Sequence, residues 1–441
     1  MRVYLESLGC ARNQVDSEGM LARLTAAGWQ VTAEPGAADL IVVNTCSFIE
    51  SAADESIDTI LALAAHKKTG RCKRLIVAGC LPERFREETA PALPEVDLFL
   101  GTGAYDRIVD AARDTLARGT CLLPDPDAAL PADPITRQPL VGHSAYLKIA
   151  EGCSRRCTYC IIPKLRGRRK SKPLETLQTE AKALIRGGVR ELTLVAQETT
   201  DYGRDLNPPL DLALLLEAVA GLDPAVWVRF LYGHPDSLTP AVYGAVARFP
   251  NLCPYFDIPI QHAADGLLRR MGRDYRRDDL MRLFDKIRGA LPDVALRTTV
   301  LVGFPGETDR DFEQLADFIE QVRFDHLGVF AYSDADDLPA HHLRNHVAPH
   351  VAQARLEDLM ARQQLISAAN LERFLGRTLE VLVEDLGEDG LWTARSQFQA
   401  PEVDGTVLIA DDPGNPKLAR GCFVTVRVVE TLDYDVAGEI V

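Results

Sequence analysis

Apolar and polar residues alternate in three different ways along this chain, and each way predicts a different architecture. In residues 1–120, short apolar runs alternate with stretches of helical period. The helical stretches fall near residues 15–27, 50–65 and 105–118, and the first ends at Gly28, a suitable C-cap. The runs interpreted as strands are VYLESLG, LIVVNTC, RLIVAGC and DLFLGT. This alternation predicts an N-terminal open parallel α/β sheet with helices on its faces.

The alternation resumes after a segment rich in proline and aspartate, which we interpret as a linker over residues 121–138. Six further strands are predicted within residues 139–372, namely YLKIA, ELTLVAQ, WVRFLYG, YFDIPIQ, LRTTVLVG and HLGVFAYS. One helix between them has Pro173 just inside its start and Gly187 at its end, and another starts at Thr308, an N-cap candidate. Six β/α units predict a partial (β/α)6 barrel whose active groups lie at the carboxyl ends of the strands.

The pattern changes again after the helical stretch 351–372. Residues 373–441 contain the β-type runs TLEVLVEDL, GTVLIADD and CFVTVRVVETL, separated by turn residues. Short strands of this kind predict a small antiparallel β-barrel. The chain is therefore expected to be an α/β multidomain protein with domains at residues 1–120, 139–372 and 373–441.

The charge of the chain argues against a polyanion as its general partner. It carries 49 Lys and Arg against 64 Asp and Glu, a net charge of −15, and the third domain alone has six basic and thirteen acidic residues. Direct nucleic-acid binding is not expected from such a field, and a basic protein is an easier partner.

The amino terminus and the cysteine content predict a cytoplasmic protein that uses its thiols for chemistry. MRVYLESLGC lacks the apolar stretch of a signal peptide, and no apolar run reaches the roughly 18–20 residues that cross a bilayer. No membrane association is expected. In a reducing compartment, ten cysteines indicate metal ligation or catalysis rather than disulfides.

The strongest local motif is a C-x3-C-x2-C triplet directly after the strand YLKIA, formed by Cys153, Cys157 and Cys160. Three thiolates on one loop can hold three irons of a 4Fe-4S cube. The fourth iron then stays open to chelate the amino and carboxylate groups of a small molecule. A zinc knuckle is the alternative, but it needs a fourth protein ligand and normally two C-x2-C pairs.

Three further cysteines, Cys10, Cys46 and Cys80, each follow a predicted parallel strand at intervals of 36 and 34 residues. The carboxyl ends of such strands share one edge of the sheet, so these thiolates are expected to converge on a second cluster with one open iron. The alternative is three buried core thiols. The remaining cysteines show no such arrangement and are interpreted as structural, namely Cys72, Cys121, Cys253 and Cys422.

The triplet and its position resemble the radical S-adenosylmethionine (SAM) superfamily, in which the open iron binds SAM and an electron cleaves it to methionine and a 5′-deoxyadenosyl radical. By this resemblance, Tyr159 packs near the SAM adenine. The run TTVLVGFPGET is similar to a SAM-contacting strand, where Gly303 and Gly306 would let the backbone approach the ligand. Gln197 and Arg229 are further candidates for SAM contacts. No catalytic residue is expected beyond the cluster ligands.

The whole set of features resembles the methylthiotransferase family, in which the first domain holds an auxiliary cluster that delivers sulfur and the last is a substrate-binding TRAM domain. The resemblance implies two 4Fe-4S clusters and two uses of SAM. One SAM donates a methyl group to sulfur on the auxiliary cluster, and a second supplies the radical that abstracts hydrogen from the substrate carbon. A flavodoxin- or ferredoxin-type protein would be the reductant.

Several segments resemble in particular the RimO branch of that family, which modifies the β-carbon of an aspartate in ribosomal protein uS12. They are SLGCARNQVDSE, NTCSFIESAADESIDTI, GCSRRCTYCIIPKLRG, DIPIQHAADGLLRRMGR and APEVDG. The acidic third domain favours the same substrate, because it would attract a basic ribosomal protein and repel tRNA. The alternatives are a tRNA adenosine methylthiotransferase, a radical SAM enzyme without sulfur insertion, and a non-enzymatic metal-binding adaptor for RNA or the ribosome.

Two segments add further expectations. DADDLPA at 334–340 departs from the Glu-Gly-Thr stretch usual in the family, which puts a role for this loop in doubt, and the histidines at 341–350 are interpreted as a solvated loop. Residues 155–172 carry eight basic side chains. One or two of them, Arg166 or Arg168, are expected to bind the SAM carboxylate or the substrate aspartate in a bidentate pair.

Overall fold

The computed structural model describes residues 1–113, 116–128, 137–140, 142–388, 390–410, 415 and 418–441. Its strands are β1 Arg2–Ser7, β2 Gln30–Val31, β3 Leu40–Thr45, β4 Arg74–Gly79, β5 Leu98–Leu100, β6 Thr120–Leu122, β7 Ser144–Lys148, β8 Ala150–Glu151, β9 Lys170–Ser171, β10 Glu191–Val195, β11 Trp227–Phe230, β12 Tyr255–Asp257, β13 Ala295–Val302, β14 His326–Ala331, β15 Thr378–Leu386, β16 Trp392–Ser396, β17 Val407–Ile409, β18 Phe423–Thr431 and β19 Val436–Ile440. Its α-helices are α1 Ala11–Ala26, α2 Glu50–Ala64, α3 His66–Thr69, α4 Cys80–Phe85, α5 Thr89–Ala92, α6 Ile108–Ala112, α7 Ile162–Arg166, α8 Leu174–Arg186, α9 Leu212–Ala220, α10 Pro240–Arg248, α11 Asp265–Arg270, α12 Arg277–Ala290, α13 Asp309–Val322 and α14 Pro349–Leu371.

The first domain is a parallel sheet with the strand order β2–β1–β3–β4–β5–β6. Its central strands β3 and β4 are buried along their whole length, as continuous apolar runs require in a sheet covered on both faces. Helices α1 and α6 pack on one face, and α2 and α4 pack on the other. The predicted open parallel α/β sheet is confirmed.

Two details of this domain differ from the prediction. Strand β6 pairs with β5, so the sheet extends through Leu122 into the segment predicted as a linker. Residues 129–136 of that predicted linker lie outside the described residues. The predicted helix at 105–118 is a 3-10 turn, Tyr105–Arg107, followed by the short α6, and residues 114–115 are likewise outside the described ranges.

The central domain is a partial barrel of six parallel strands. Hydrogen bonds join them as β11–β10–β7 and β12–β13–β14, and a parallel bridge between Val228 and Leu252 connects the two groups. Helices α8–α10 and α12–α14 pack on the outside of the strands. Thr308 caps α13 as predicted, because its side chain accepts a hydrogen bond from the Asp311 amide. At α8, Pro173 is the N-cap rather than the first helical residue.

The third domain is a closed barrel with the strand order β15–β16–β17–β19–β18. Neighbouring strands are antiparallel except for β17 and β19, which run parallel. The sequence predicted a small antiparallel barrel but did not predict β16 and β19. None of the helices in the described ranges is both long and apolar enough to cross a membrane.

The inner face of the central barrel is covered by the other two domains. Val15 of α1 and Leu382 and Ala400 of the third domain pack there against barrel side chains such as Tyr146 and Tyr255. Tyr255 is the first residue of β12, and the third domain also contacts Glu191, the first residue of β10, so this domain packs on the amino ends of the barrel strands.

Candidate metal and cofactor site

Cys10, Cys46 and Cys80 come together at the carboxyl edge of the first sheet, as the sequence predicted. Cys10 is the residue before α1, Cys46 follows β3, and Cys80 begins α4 directly after β4. The pKa of the Cys80 thiol is raised to about 11, mainly by burial and also by the nearby thiols of Cys46 and Cys10. The positive charge of Arg166 lowers this pKa but does not outweigh the burial. Burial opposes ionisation of Cys10 too, but Arg12 and Arg166 outweigh it and lower the pKa of this thiol. The three thiols thus interact electrostatically with one another.

Two glycines allow these strand ends to approach. Gly9 and Gly79 have φ of +92° and +100°, a region that side-chain-bearing residues rarely adopt. A Cβ on Gly9 would lie 2.7 Å from the Cβ of Cys46, and one on Gly79 would lie 2.5 Å from Oδ1 of Asn44. The pairs Gly9-Cys10 and Gly79-Cys80 are a signal in the sequence for this close packing, in addition to the position of the cysteines at strand ends.

Cys153, Cys157 and Cys160 lie on one loop between β8 and α7. The antiparallel pair β8–β9 closes the base of the loop, the Cys153 amide donates to the Gly167 carbonyl at 3.0 Å, and the Thr158 amide donates to the Met271 carbonyl at 3.1 Å. All three cysteines are partly exposed. Burial raises the pKa of Cys160 to about 12, and charges at Cys157 and Cys153 raise it further.

The donor set of each triad fits an iron–sulfur cube. All ten cysteines are free, and across the described ranges no three His, Cys, Asp or Glu side chains are close enough to hold a single metal ion. A zinc site would require such convergence on one ion, whereas each thiolate of a cube binds a different iron.

The short helix α7 separates the two triads. Cys80 packs against Ile161 and Leu165 in a small apolar cluster. At the end of α7, Nη2 of Arg166 lies 3.8 Å from the Cys80 sulfur. Cys160 immediately precedes this segment, so the same few residues contact both triads.

Arg166 belongs to a buried network that joins the first domain to the barrel. Its Nη1 contacts Asp16 at 3.1 Å and Glu151 at 2.8 Å, and its Nη2 donates to Asn13 at 2.6 Å. The prediction that Arg166 binds a ligand carboxylate is therefore wrong, because its donors are engaged within the protein. Arg168 is 86% exposed and lies 3.9 Å from Asp127; it stands on the surface rather than in the site.

The residues predicted to contact SAM occupy different places. The Tyr159 hydroxyl accepts hydrogen bonds from Arg273 at 2.5 and 3.2 Å, and its ring packs edge-on against Phe304. Gln197 donates to Glu151 at 2.9 Å, and its carbonyl oxygen has no hydrogen-bond partner in the part of the chain that the structure describes. Both side chains are partly exposed, which is compatible with the predicted contacts.

Arg229 forms its contacts within the protein, and Gly303 and Gly306 lie close to other protein atoms. The Nε of Arg229 contacts Glu191 at 2.6 Å, and its Nη1 lies 3.3 Å from the carbonyl of Gln397 in the third domain. This guanidinium therefore belongs to a domain junction, which corrects its prediction as a SAM contact. A Cβ on Gly303 would lie 2.4 Å from Cβ of Ala352, and one on Gly306 would overlap Arg270. The φ of +75° at Gly303 and +85° at Gly306 also favours glycine, and the SAM contacts predicted for these two residues stay a prediction.

Several charged residues at the strand ends were not singled out from the sequence. Glu198, three residues after β10, accepts from Arg155 at 2.8 Å and from Ser237 at 2.7 Å. Its position just beyond a barrel strand was the available signal. Arg273, which binds Tyr159, gave no sequence signal because its partner is 114 residues away.

The segment that departs from the family pattern also has a structural place. Asp337 contacts Arg84 of α4 at 2.8 Å and Lys164 of α7 at 3.3 Å, so the loop joins the first domain to the barrel. His341 and His346 are 40% and 37% exposed and lie near Asp334, which agrees with the expected solvated loop.

Three segments of the chain match known families, and their order is that of the observed domains. Residues 2–101 match an uncharacterized protein family, UPF0004, residues 147–319 match the radical SAM superfamily, and residues 375–441 match the TRAM domain. The fold is similar to that of the radical SAM methyltransferase TsrM from Kitasatospora setae, with a TM-score of 0.58 at 14% identity over 83% of this chain and 89% of that one. It also resembles the cobalamin-dependent SAM radical enzyme OxsB, with a TM-score of 0.52 at 13% identity over 82% and 56% of the two chains. The chain is a radical SAM enzyme, with SAM and an iron–sulfur cluster as its cofactors.

Relatives of known name define the family more closely. A protein of Desulfosudis oleivorans named ribosomal protein uS12 methylthiotransferase RimO is 53% identical over the full length of both chains. Proteins of the same name from Geobacter sulfurreducens and Clostridioides difficile are each 43% identical over all of this chain and 98% and 99% of theirs. The chain therefore belongs to the RimO family of methylthiotransferases.

Proposed function

We propose that this chain methylthiolates the β-carbon of an aspartate of ribosomal protein uS12 and holds one 4Fe-4S cluster on each thiol triad. The observation that carries the proposal is the position of the two triads on either side of α7, each with three free thiols. The names of the full-length relatives support the substrate. Family membership supports the reaction class.

The two triads would have different tasks. The cluster on Cys153, Cys157 and Cys160 would supply the electron that cleaves SAM, and the cluster on Cys10, Cys46 and Cys80 would supply the sulfur. The protein's part is to hold both sites at a fixed separation through α7 and Arg166. Tyr159, fixed by Arg273, and Gln197, with its free carbonyl oxygen, would orient SAM between them.

The surroundings of the site fit a basic protein substrate and an electron-transfer partner. A cavity of about 280 Å³ lies between the three domains, and the third domain lines it with Glu384, Glu402 and Asp404. Glu384 and Asp404 already contact Arg395 and Arg297, so the exposed Glu402 is the carboxylate that would attract a basic segment of uS12. A flavodoxin- or ferredoxin-type reductant could dock beside the cysteine loop, where Arg156 and Arg168 are exposed.

Anaerobic incubation with SAM, reductant, sulfide and a uS12 peptide tests the proposal, with mass spectrometry of the peptide as the readout. Wild-type protein with about eight irons per chain should add a methylthio group. Cys46→Ala should keep about four irons and still form 5′-deoxyadenosine, but it should lose methylthiolation, because only the sulfur-donating site is removed. Cys157→Ala should lose both reactions.

Cys121→Ala is the matched control, because Cys121 lies on β6 outside both triads, and this variant should keep both reactions. Full methylthiolation by Cys46→Ala would contradict the second cluster. A methylthio group on tRNA with an unmodified uS12 peptide would favour the tRNA-modifying alternative.

A further inference from the structure

Arg12 is an arginine without a carboxylate partner at the place where the first thiol triad meets the barrel. Its Nη1 donates to the carbonyl of Ala196 at 2.9 Å, and its guanidinium lies 4.3 Å from the ring centroid of Tyr232. Within the described ranges it forms no ion pair, although other arginines next to the thiol triads, such as Arg166 and Arg155, contact at least one carboxylate. Arg12 also interacts with the Cys10 side chain, and the remaining N–H donors of its guanidinium are left for a ligand.

The position of Arg12 is central to the site. It stands two residues after Cys10, while Ala196 follows β10 and Tyr232 follows β11 at the carboxyl ends of the barrel strands. Arg12, Cys10 and Tyr232 are all partly exposed. The guanidinium therefore faces the space between the first thiol triad and the inside of the barrel.

The charged groups around Arg12 do not include a carboxylate paired with it among the described residues, so an anionic ligand could bind there. Its neighbours are the Cys10 side chain, the Tyr232 ring and the positively charged Arg166. Asp257 at the end of β12 is the nearby carboxyl group; its Oδ2 accepts from the Tyr232 amide, and burial raises its pKa, although Arg297 and Arg12 act in the opposite direction. Because Arg12 is partly exposed and has no carboxylate partner among the described residues, it can pair with an anion that enters this space.

We propose that Arg12 binds the side-chain carboxylate of the substrate aspartate and so selects aspartate over neutral side chains; this inference rests on the proposed function. A guanidinium matches a carboxylate in a planar, two-point contact. In aspartate the carboxylate carbon is bonded directly to the β-carbon. Holding the carboxylate at Arg12 places the carbon to be modified beside the triad that begins at Cys10.

Peptide binding under anaerobic conditions tests the inference without turnover. The probes are two labelled uS12 peptides, one with the target aspartate and one with asparagine in its place, measured by fluorescence anisotropy with SAM present. Wild-type protein should bind the aspartate peptide roughly 10- to 100-fold more tightly, the range expected when a charged hydrogen-bonded pair is lost. Arg12→Met should bind both peptides equally weakly, and Arg12→Lys should keep part of the preference.

Arg107→Met serves as the control, because Arg107 pairs with Asp110 on the exposed surface of the first domain, and it should behave as wild type. A purely structural role of Arg12 predicts a different result, in which Arg12→Met weakens binding but keeps the preference for aspartate. The KM for SAM should be unchanged in Arg12→Met, and peptide binding is compared between samples with the same iron content.

Three outcomes would overturn the inference: equal binding of both peptides by wild-type protein, a preserved preference in Arg12→Met, or a raised KM for SAM with unchanged peptide binding. The first comparison uses wild-type protein alone, so it can overturn the inference even if the variants fail to load clusters. Wild-type protein that prefers the aspartate peptide but never methylthiolates it would instead refute the proposed function and leave the Arg12 contact standing.

Discussion

Arg166 shows how a single side chain can join two domains and a thiol site. Its guanidinium is 2% exposed and contacts Asp16, Glu151, Asn13 and Cys80. Lys148 adds a second positive charge between the same two carboxylates. Such a buried network depends on every member, because removal of one partner leaves a charge without compensation.

Arg166→Met should lower the free energy of unfolding by about 3–5 kcal/mol, the cost of leaving one partner of a buried ion pair unpaired. Urea denaturation of the reconstituted protein measures this loss. Arg168→Met, two residues further on but exposed, should change the same quantity by no more than about 0.5 kcal/mol. Equal effects of the two variants would show that the network does not stabilise the domain junction.

The cysteines were predictable from the sequence, whereas the roles of the arginines were not. Cys10, Cys46 and Cys80 follow apolar runs, and strand ends of a parallel sheet share an edge whatever the rest of the chain does. The partner of Arg166 is Asp16, 150 residues away, and that of Arg229 is Glu191 on a neighbouring strand. Local sequence pattern contains no information on which buried charges a tertiary fold will bring together.

At the scale of elements, long buried strands and capped helices were predicted, and short elements were missed. Strands β3 and β4 contain the apolar runs LIVV and LIVA, β13 ends in the apolar run VLV, and α13 carries its own capping signal. Strand β6 has three residues and β19 contains a glycine, so neither shows the alternation that marks a strand. They are held by neighbouring strands rather than by their own sequence.

The loop between β1 and α1 offers a test of strand-end geometry. Gly9 and Gly28 both have φ of +92°, but a Cβ on Gly9 would meet Cys46, whereas a Cβ on Gly28 has nothing within 4 Å. Gly28→Ala should therefore cost only the backbone strain, about 1–2 kcal/mol, and keep its full iron content. Gly9→Ala should also displace Cys46 and lose about half of the iron. Iron analysis that finds equal loading of both variants would contradict the proposed ligand role of Cys46.

At the scale of the whole molecule, a buried ion cluster attaches the third domain to the barrel. Glu191 contacts Arg229 at 2.6 Å and Arg395 of β16 at 2.5 Å, and Ser144 and Glu384 complete the surroundings. Burial opposes ionisation of Glu191, but Arg395 and Arg229 outweigh it and lower its pKa to about 2. The three-domain arrangement was predictable from domain patterns, but this attachment was not.

The low pKa of Glu191 predicts an acid dependence of stability. A carboxyl group with a lowered folded-state pKa stabilises the fold above its unfolded pKa of about 4.3, and this contribution is lost as the pH falls toward 2. The difference in urea unfolding free energy between wild type and Glu191→Gln should therefore shrink by about 1 kcal/mol from pH 6 to pH 3.5.

Asp293→Asn is the control for this measurement, because Asp293 pairs with Arg377 on the surface and its carboxylate is 59% exposed. Its difference from wild type should be small at both pH values. A Glu191→Gln difference that stays constant over this range would show that folding does not lower the pKa of Glu191.

The five residues of α7 also constrain how the molecule can change over evolutionary time. Each residue of an α-helix turns the chain by about 100°, so one inserted residue would rotate Arg166 away from Cys80 while leaving Cys160 in place. A change in the length of α7 would need a matching change in the segment of the first domain that carries Cys80. The length of this helix, as well as its side chains, therefore fixes the position of one thiol triad relative to the other.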